Sequence, residues 1–210
     1  MNTKINHLLK KFINQIPQGT ILDIGCGIGI NSKYLAKKNY QIIAIDNNKK
    51  NIDELKNIAR GEKENIKIYK KDIRKFIFKK NYYSAILAFN VLVFMKKSEM
   101  IKIIEKIKSS LKIGGILFIV SFNIDDNSYL KFKEKHAEIE KNTFFYDYAK
   151  QYWNFLDKGE LKKIFSESEK QFQTLFYKER KIKDLIPKIH YHGISELVAK
   201  RLSSERAFTI

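Results

Sequence analysis

The chain has 210 residues, 44% of them hydrophobic, which suits one soluble α/β domain with a full core. No apolar segment approaches the ~20 residues of a membrane span, and the N-terminus lacks the apolar core and cleavage site of a signal peptide. The single cysteine, Cys26, has no partner for an internal disulfide, so the expected compartment is the cytoplasm.

Residues Thr3–Ile16 have the spacing of an amphipathic helix, with Ile5, Leu8, Leu9, Phe12, Ile13 and Ile16 on one face and Pro17 and Gly19 ending it. The next stretch, TILDIGCGIGI, is the most informative in the chain. Ile21 and Leu22 end in Asp23; Gly25, Gly27 and Gly29 alternate; a helix over Asn31–Lys38 follows, with Asn31 or Ser32 as candidate caps. This predicts a buried strand, a glycine turn and a helix. Open α/β sheets bind nucleotides at such a turn. The spacing is G-x-G-x-G, not the G-x-G-x-x-G that seats a pyrophosphate. A carboxylate two residues before the first glycine repels phosphate and attracts an ammonium or a sulfonium. S-adenosylmethionine (SAM) carries both and has no phosphate. Cys26 reads as a small residue fitting a tight turn.

The run QIIAID predicts a second strand ending in Asp46, close to the ~20-residue offset of a ribose-binding acid. A helix is predicted over Lys49–Arg60, with Ile52, Leu55 and Ile58 inward. IKIYKKD then places Asp72 before Ile73, and YSAILAFNVLVF places Asn90 at a strand end. Ser98–Leu111 predicts a helix with Ile101, Ile104, Ile107 and Leu111 on one stripe, stopped by Gly114-Gly115 before the strand ILFIVSF. The segment 123–157 is polar and aromatic and is expected to be a helical insertion, either capping the acceptor or simply packing. A short helix over Gly159–Phe165 precedes a sixth strand, QFQTLFYKE, and a seventh, GISELVAK. A strand pair without a long connecting helix must be antiparallel. The order predicts one domain over 1–210 with a Rossmann-like, doubly wound seven-stranded sheet, mostly parallel, with an antiparallel last strand.

The residues DIGCGIG resemble the first motif of class I SAM-dependent methyltransferases. That resemblance implies SAM as cofactor, bound by Asp23, Gly25, Cys26, Gly27, Gly29, Asp46, Asn47, Asp72, Ile73 and Asn90. Asp72 and Ile73 would face the adenine, and Asn90 the methionine part and the methyl acceptor. Within the class, DIGCGIGINSKYLA, AIDNN, ILAFNVLVFM, LFIVSF and FLDKGELKKIF resemble the tellurite-resistance-type methyltransferases, a small-molecule group. Two departures stand out. Ile30 occupies a position that is often basic in that family, and Arg180–His192 matches its basic, histidine-containing loop only loosely.

The turn after the sixth strand, Lys181–His192, is expected to overhang the acceptor. His190 and His192 lie two apart, so an extended segment would put them on one face. They are the candidate catalytic pair, suited to anion binding or proton removal. Two histidines do not make a metal site, and no metal is expected. The net charge of +18 invites a nucleic-acid partner. The lysines are dispersed along the chain, however, so only weak nonspecific attraction to nucleic acid follows. Transfer to a small-molecule substrate is the leading expectation. An RNA or protein methyltransferase and a SAM-binding regulatory protein are the alternatives.

Overall fold

A computed structural model describes residues 4–60, 65–166, 171–184 and 190–203. In chain order its strands are β1 (Thr20–Ile24), β2 (Gln41–Asp46), β3 (Ile66–Lys70), β4 (Tyr83–Phe89) and β5 (Leu111–Phe122), then the short β6 (Glu138–Glu140), β7 (Thr143–Tyr146) and β8 (Gln151–Asn154), and finally β9 (Phe172–Asp184) and β10 (His190–Arg201). The helices are α1 (His7–Phe12), α2 (Ile30–Ala36), α3 (Lys49–Ile58), α4 (Lys97–Ser110), α5 (Asn127–Lys135) and α6 (Glu160–Ser166).

The main sheet has seven strands in the order β3-β2-β1-β4-β5-β10-β9. Strands β1 to β5 are parallel, and β10 runs antiparallel to both of its neighbours. The expected doubly wound sheet with its final strand inserted is therefore the observed one. Period-two alternation sends β5 side chains to both faces: Ile116, Phe118 and Val120 join one apolar layer, and Leu117 and Ile119 the other. Both faces are covered, which is why these strands read as continuous apolar runs. Among the described residues no helix is long and apolar enough to cross a membrane.

Several local expectations change. The N-terminal helix is shorter than its apolar pattern: α1 opens at His7, capped by Asn6, whose Oδ1 accepts from the Leu8 amide at 2.9 Å. Thr3 lies outside the described residues. Neither Asn31 nor Ser32 caps α2. Gly29 does, at φ 78°, and a Cβ there would sit 2.0 Å from Leu55 Cδ1. Ile101 on α4 is exposed, and Met100 and Ile103 take its place inside with Ile104 and Ile107. The glycine pair does not stop that helix. It ends at Ser110, and Gly114-Gly115 lies within β5, where the pairing to β4 shifts register. In the insertion only α5 is helical; β6, β7 and β8 form a three-stranded antiparallel sheet. The aromatic-rich runs Phe144–Tyr146 and Tyr152–Phe155 have residue types that favour strands.

Candidate active site

The chain order reverses between β1 and β4, and the strand ends part there to leave a crevice. The glycine turn after β1 hangs from β2, because the Cys26 amide donates to the Ile45 carbonyl at 3.0 Å. A cavity of about 310 Å³ is lined by Gly25, Gly27, Asp46, Asn47, Asp72, Ile73 and Asn90. A second, of about 200 Å³, shares Gly25, Gly27, Asn51 and Asn90 with it and adds Asp23, Cys26, Lys4 and Asn6. The two form one crevice across the carboxyl edge of the sheet, of a size typical for a small ligand. Nine of the ten predicted cofactor residues line it. Gly29 does not; its role is the start of α2.

Three carboxylates face this crevice, each held differently. Asp23 is buried, and its Oδ2 accepts from the Ser32 hydroxyl at 2.6 Å. Burial pushes its pKa up to about 6, opposed by the Ser32 bond and assisted by the charge of Asp46. Asp46 accepts from the Gly27 amide at 2.9 Å and from the Asn48 amide at 2.8 Å. Asp72 caps the short turn Ile73–Lys75 and is gripped by Arg74, whose Nη2 lies 2.7 Å from Oδ2 and whose Nε spans both oxygens at 3.1 Å. That grip outweighs burial, which pushes the other way, and holds its carboxyl below the usual range. An adenine amine would thus meet an acid already engaged. The Cys26 thiol is pushed far up by burial, so it is no thiolate at neutral pH and retains the packing role.

Asn90 follows β4 in a left-handed conformation, φ 54°, its amide bonded to the Val120 carbonyl. The loop after it is pinned from the insertion. Asn154 of β8 donates to the carbonyls of Leu92, Val93 and Met95 at 2.7, 3.3 and 2.9 Å. Phe94 and Gln151 complete this wall of the larger cavity. Behind it, Trp153 meets Phe94 edge-on and stacks on Phe122.

The other face of Phe122 carries His192, with ring centroids 5.0 Å apart and nearly parallel planes. His190 and His192 lie on β10 rather than in a loop, because β9 runs on to Asp184; residues 185–189, within the predicted turn, lie outside the described residues. As expected of an extended segment, the two rings meet, with Nε2 atoms 3.0 Å apart. His192 Nδ1 lies 2.8 Å from Oδ2 of Asp126, which is buried. A carboxylate accepts, so Nδ1 carries a proton, and Nε2 faces His190. The Asp126 bond raises the His192 pKa against an opposing burial cost.

Sequence reasoning missed Ser32, Asn51, Arg74, Asp126 and Asn154. Asp126 carried a signal, since D-N-S before an apolar run is a helix start: its Oδ1 accepts from the Ser128 amide at 2.7 Å. Asn154 carried none, because its partners are main-chain carbonyls about 60 residues away in the sequence.

The crevice suits a cationic, phosphate-free nucleoside ligand. Its acids repel phosphate, and among the described residues the buried Asn51 Oδ1 has no protein partner there. This fold with this crevice defines the class I SAM-dependent methyltransferases. Within that class, the model of the family described as tellurite resistance protein TehB matches residues 2–176, and the chain belongs to that family. A probable SAM-dependent methyltransferase TehB of Haemophilus influenzae is 30% identical over 142 residues, which cover 67% of this chain and 48% of that protein. The chain spans about half the length of the curated relatives it matches. The crystal structure of TehB from Haemophilus influenzae aligns with TM-score 0.73 at 22% identity, covering 95% of this chain and 63% of that one. A Burkholderia thailandensis 1,6-didemethyltoxoflavin-N1-methyltransferase, solved with that compound and S-adenosylhomocysteine, aligns with TM-score 0.66 at 14% identity, covering 93% and 76%. The cofactor is S-adenosylmethionine.

Proposed function

We propose that the protein transfers the methyl group of SAM to a small-molecule acceptor. The carrying observation is the insertion: β8 supplies Gln151 to the cavity that Asn90 also lines and locks the loop after Asn90 through Asn154, so the insertion walls one side of that cavity. A wall built so close to the reacting end suits a small acceptor better than a duplex or a folded protein. The small-molecule methyltransferase among the structural neighbours supports the same reading.

SAM supplies an activated methyl carbon and a good leaving group. The protein's task is alignment and exclusion of water. Asp46 and the Gly27 amide orient the ribose, Asp23 holds the ammonium, and Ile73 with Asp72 borders the adenine. The aromatic wall of Phe94, Trp153 and Phe122 keeps the transfer path dry. His190 and His192 line neither cavity; we place them on the acceptor side, behind Phe122. Because Asp126 favours the charged form of His192, the pair suits binding an anionic acceptor more than removing a proton from a neutral one.

The test is a transfer screen with methyl-labelled SAM across small anions, thiols, amines and bulk RNA. Label in a small molecule is expected; label confined to RNA or protein would overturn the proposal. Calorimetry gives a second check. Asp46→Ala should weaken SAM binding by about 10–100-fold, since charge-assisted hydrogen bonds are worth ~1.5–3 kcal/mol each. Asp72→Ala should cost less, because Arg74 already occupies that carboxylate.

A further inference from the structure

The geometry points to a divalent-metal site formed by Asp184, His190 and His192, oriented by Asp126, for a borderline ion such as Zn²⁺. Two strands converge on it. Asp184 ends β9 and pairs directly with His190 at the start of β10, and His192 follows on the same face. One potential ligand atom from each of the three lies within 4.8 Å of the others. Among the described residues no other group of histidines, cysteines and acids meets that condition.

The distances admit a shared metal ion. Two nitrogens each ~2.0–2.1 Å from one Zn²⁺ stand roughly 2.9–3.4 Å apart for angles between square and tetrahedral. The His190 and His192 Nε2 atoms are 3.0 Å apart. The ligand set, two imidazoles and one carboxylate, is the N/O set that zinc accepts, and three protein ligands leave a fourth position open.

The strongest support lies behind the ligands. A metal-binding histidine ordinarily donates its other ring N–H to a carboxylate or carbonyl, which fixes the tautomer and raises its basicity. His192 has that partner in Asp126, at 2.8 Å, with the Asp126 side chain 1% exposed. Phe122 stacks flat on the ring and fixes its plane. Asp126 is itself held, since its other oxygen caps α5. The Nε2 edge of His192 is therefore aimed before any ion arrives. The ion takes the place of the proton between the two rings, which moves to the outer nitrogen of His190 in a neutral pair and to solvent from a charged one. If the methyl-transfer proposal above is correct, the open position would hold an oxygen or sulfur of the acceptor. The metal site itself does not depend on that reading.

The test uses the full chain without a polyhistidine tag, titrated with ZnCl₂ by calorimetry, with bound metal counted after dialysis. One equivalent is expected in the wild type and less than a tenth in the His190→Ala/His192→Ala double variant. Asp184→Asn, a nearly isosteric change at the end of β9, should weaken binding. Asp126→Asn keeps a good helix cap and should weaken it by about 10–100-fold. Co²⁺ substitution should give a visible spectrum without a thiolate charge-transfer band, which separates this site from Cys26. The inference is overturned if no ion is retained, if the double variant binds as the wild type does, or if Asp184→Asn and Asp126→Asn both leave affinity unchanged. SAM affinity, measured on the same samples, reports separately on the cofactor crevice.

Discussion

Replacing Gly193 by alanine is expected to lower the melting temperature by about 5–15 °C, from a loss of roughly 2–4 kcal/mol. The reason is a close approach of two main chains. Gly193 lies on β10 beside His192, and its carbonyl accepts from the Asn123 amide at 2.9 Å. A Cβ there would sit 2.3 Å from the Asp125 carbonyl carbon, 2.3 Å from the Asp126 nitrogen and 2.5 Å from Asn123 Oδ1. Two of these are main-chain atoms and the third, on buried Asn123, is held by the Asp125 amide at 3.0 Å, so the loop between β5 and α5 must move. That displacement takes Asp126 away from both the α5 cap and His192. Thermal unfolding of the purified variant measures the effect. A melting temperature within about 2 °C of the wild type would show that the loop yields without cost.

The sheet was legible because its signals are local. Apolar runs ending in a polar residue at Asp23, Asp46, Asp72 and Asn90 mark strand ends at the carboxyl edge, and nine of the ten residues chosen around them line the crevice. The insertion was illegible for the opposite reason. Phe144, Tyr152 and Trp153 are spaced ambiguously between a helix face and strand alternation, and only pairing of β7 with β8 decides between them. The histidines stood between these cases. Their shared face followed from spacing two apart. That they sit on a strand, that Asp126 reaches His192 from 66 residues away, and that Asp184 joins them are facts of tertiary pairing.

The crevice has a further property that charge counting does not reveal: its acids are tuned unequally. Asp46 and Asp72 each receive hydrogen bonds from backbone amides, and Asp72 an arginine as well. Asp23 receives a single hydroxyl, from Ser32, among the hydrogen bonds of the described residues. A group so placed is destabilising until a positive ligand arrives, so binding and stability should oppose each other at that residue.

Asp23→Asn is therefore expected to stabilise the cofactor-free protein and to weaken SAM binding. The folded carboxyl keeps its proton up to about pH 6, against an ordinary value of 3.8. Below 3.8 both folded and unfolded states are protonated, and the stabilising contribution of the neutral acid is complete. It fades as pH rises through about 6, and above that the folded protein carries a buried charge costing about 3 kcal/mol. In the variant this loss between pH ~4 and ~6 should vanish, leaving the cofactor-free protein ~1–2 kcal/mol more stable at about pH 8. SAM affinity should move the other way. An ammonium at Asp23 needs the ionised form, so wild-type affinity should fall up to tenfold per unit as pH drops below about 6. In Asp23→Asn it should be lower by about 10–100-fold at neutral pH and nearly flat with pH. Urea denaturation read across pH gives the first curve, and calorimetry the second. A variant that binds SAM as tightly as the wild type, or a wild-type affinity that does not change between pH ~5 and ~8, would remove Asp23 from the cofactor's ammonium.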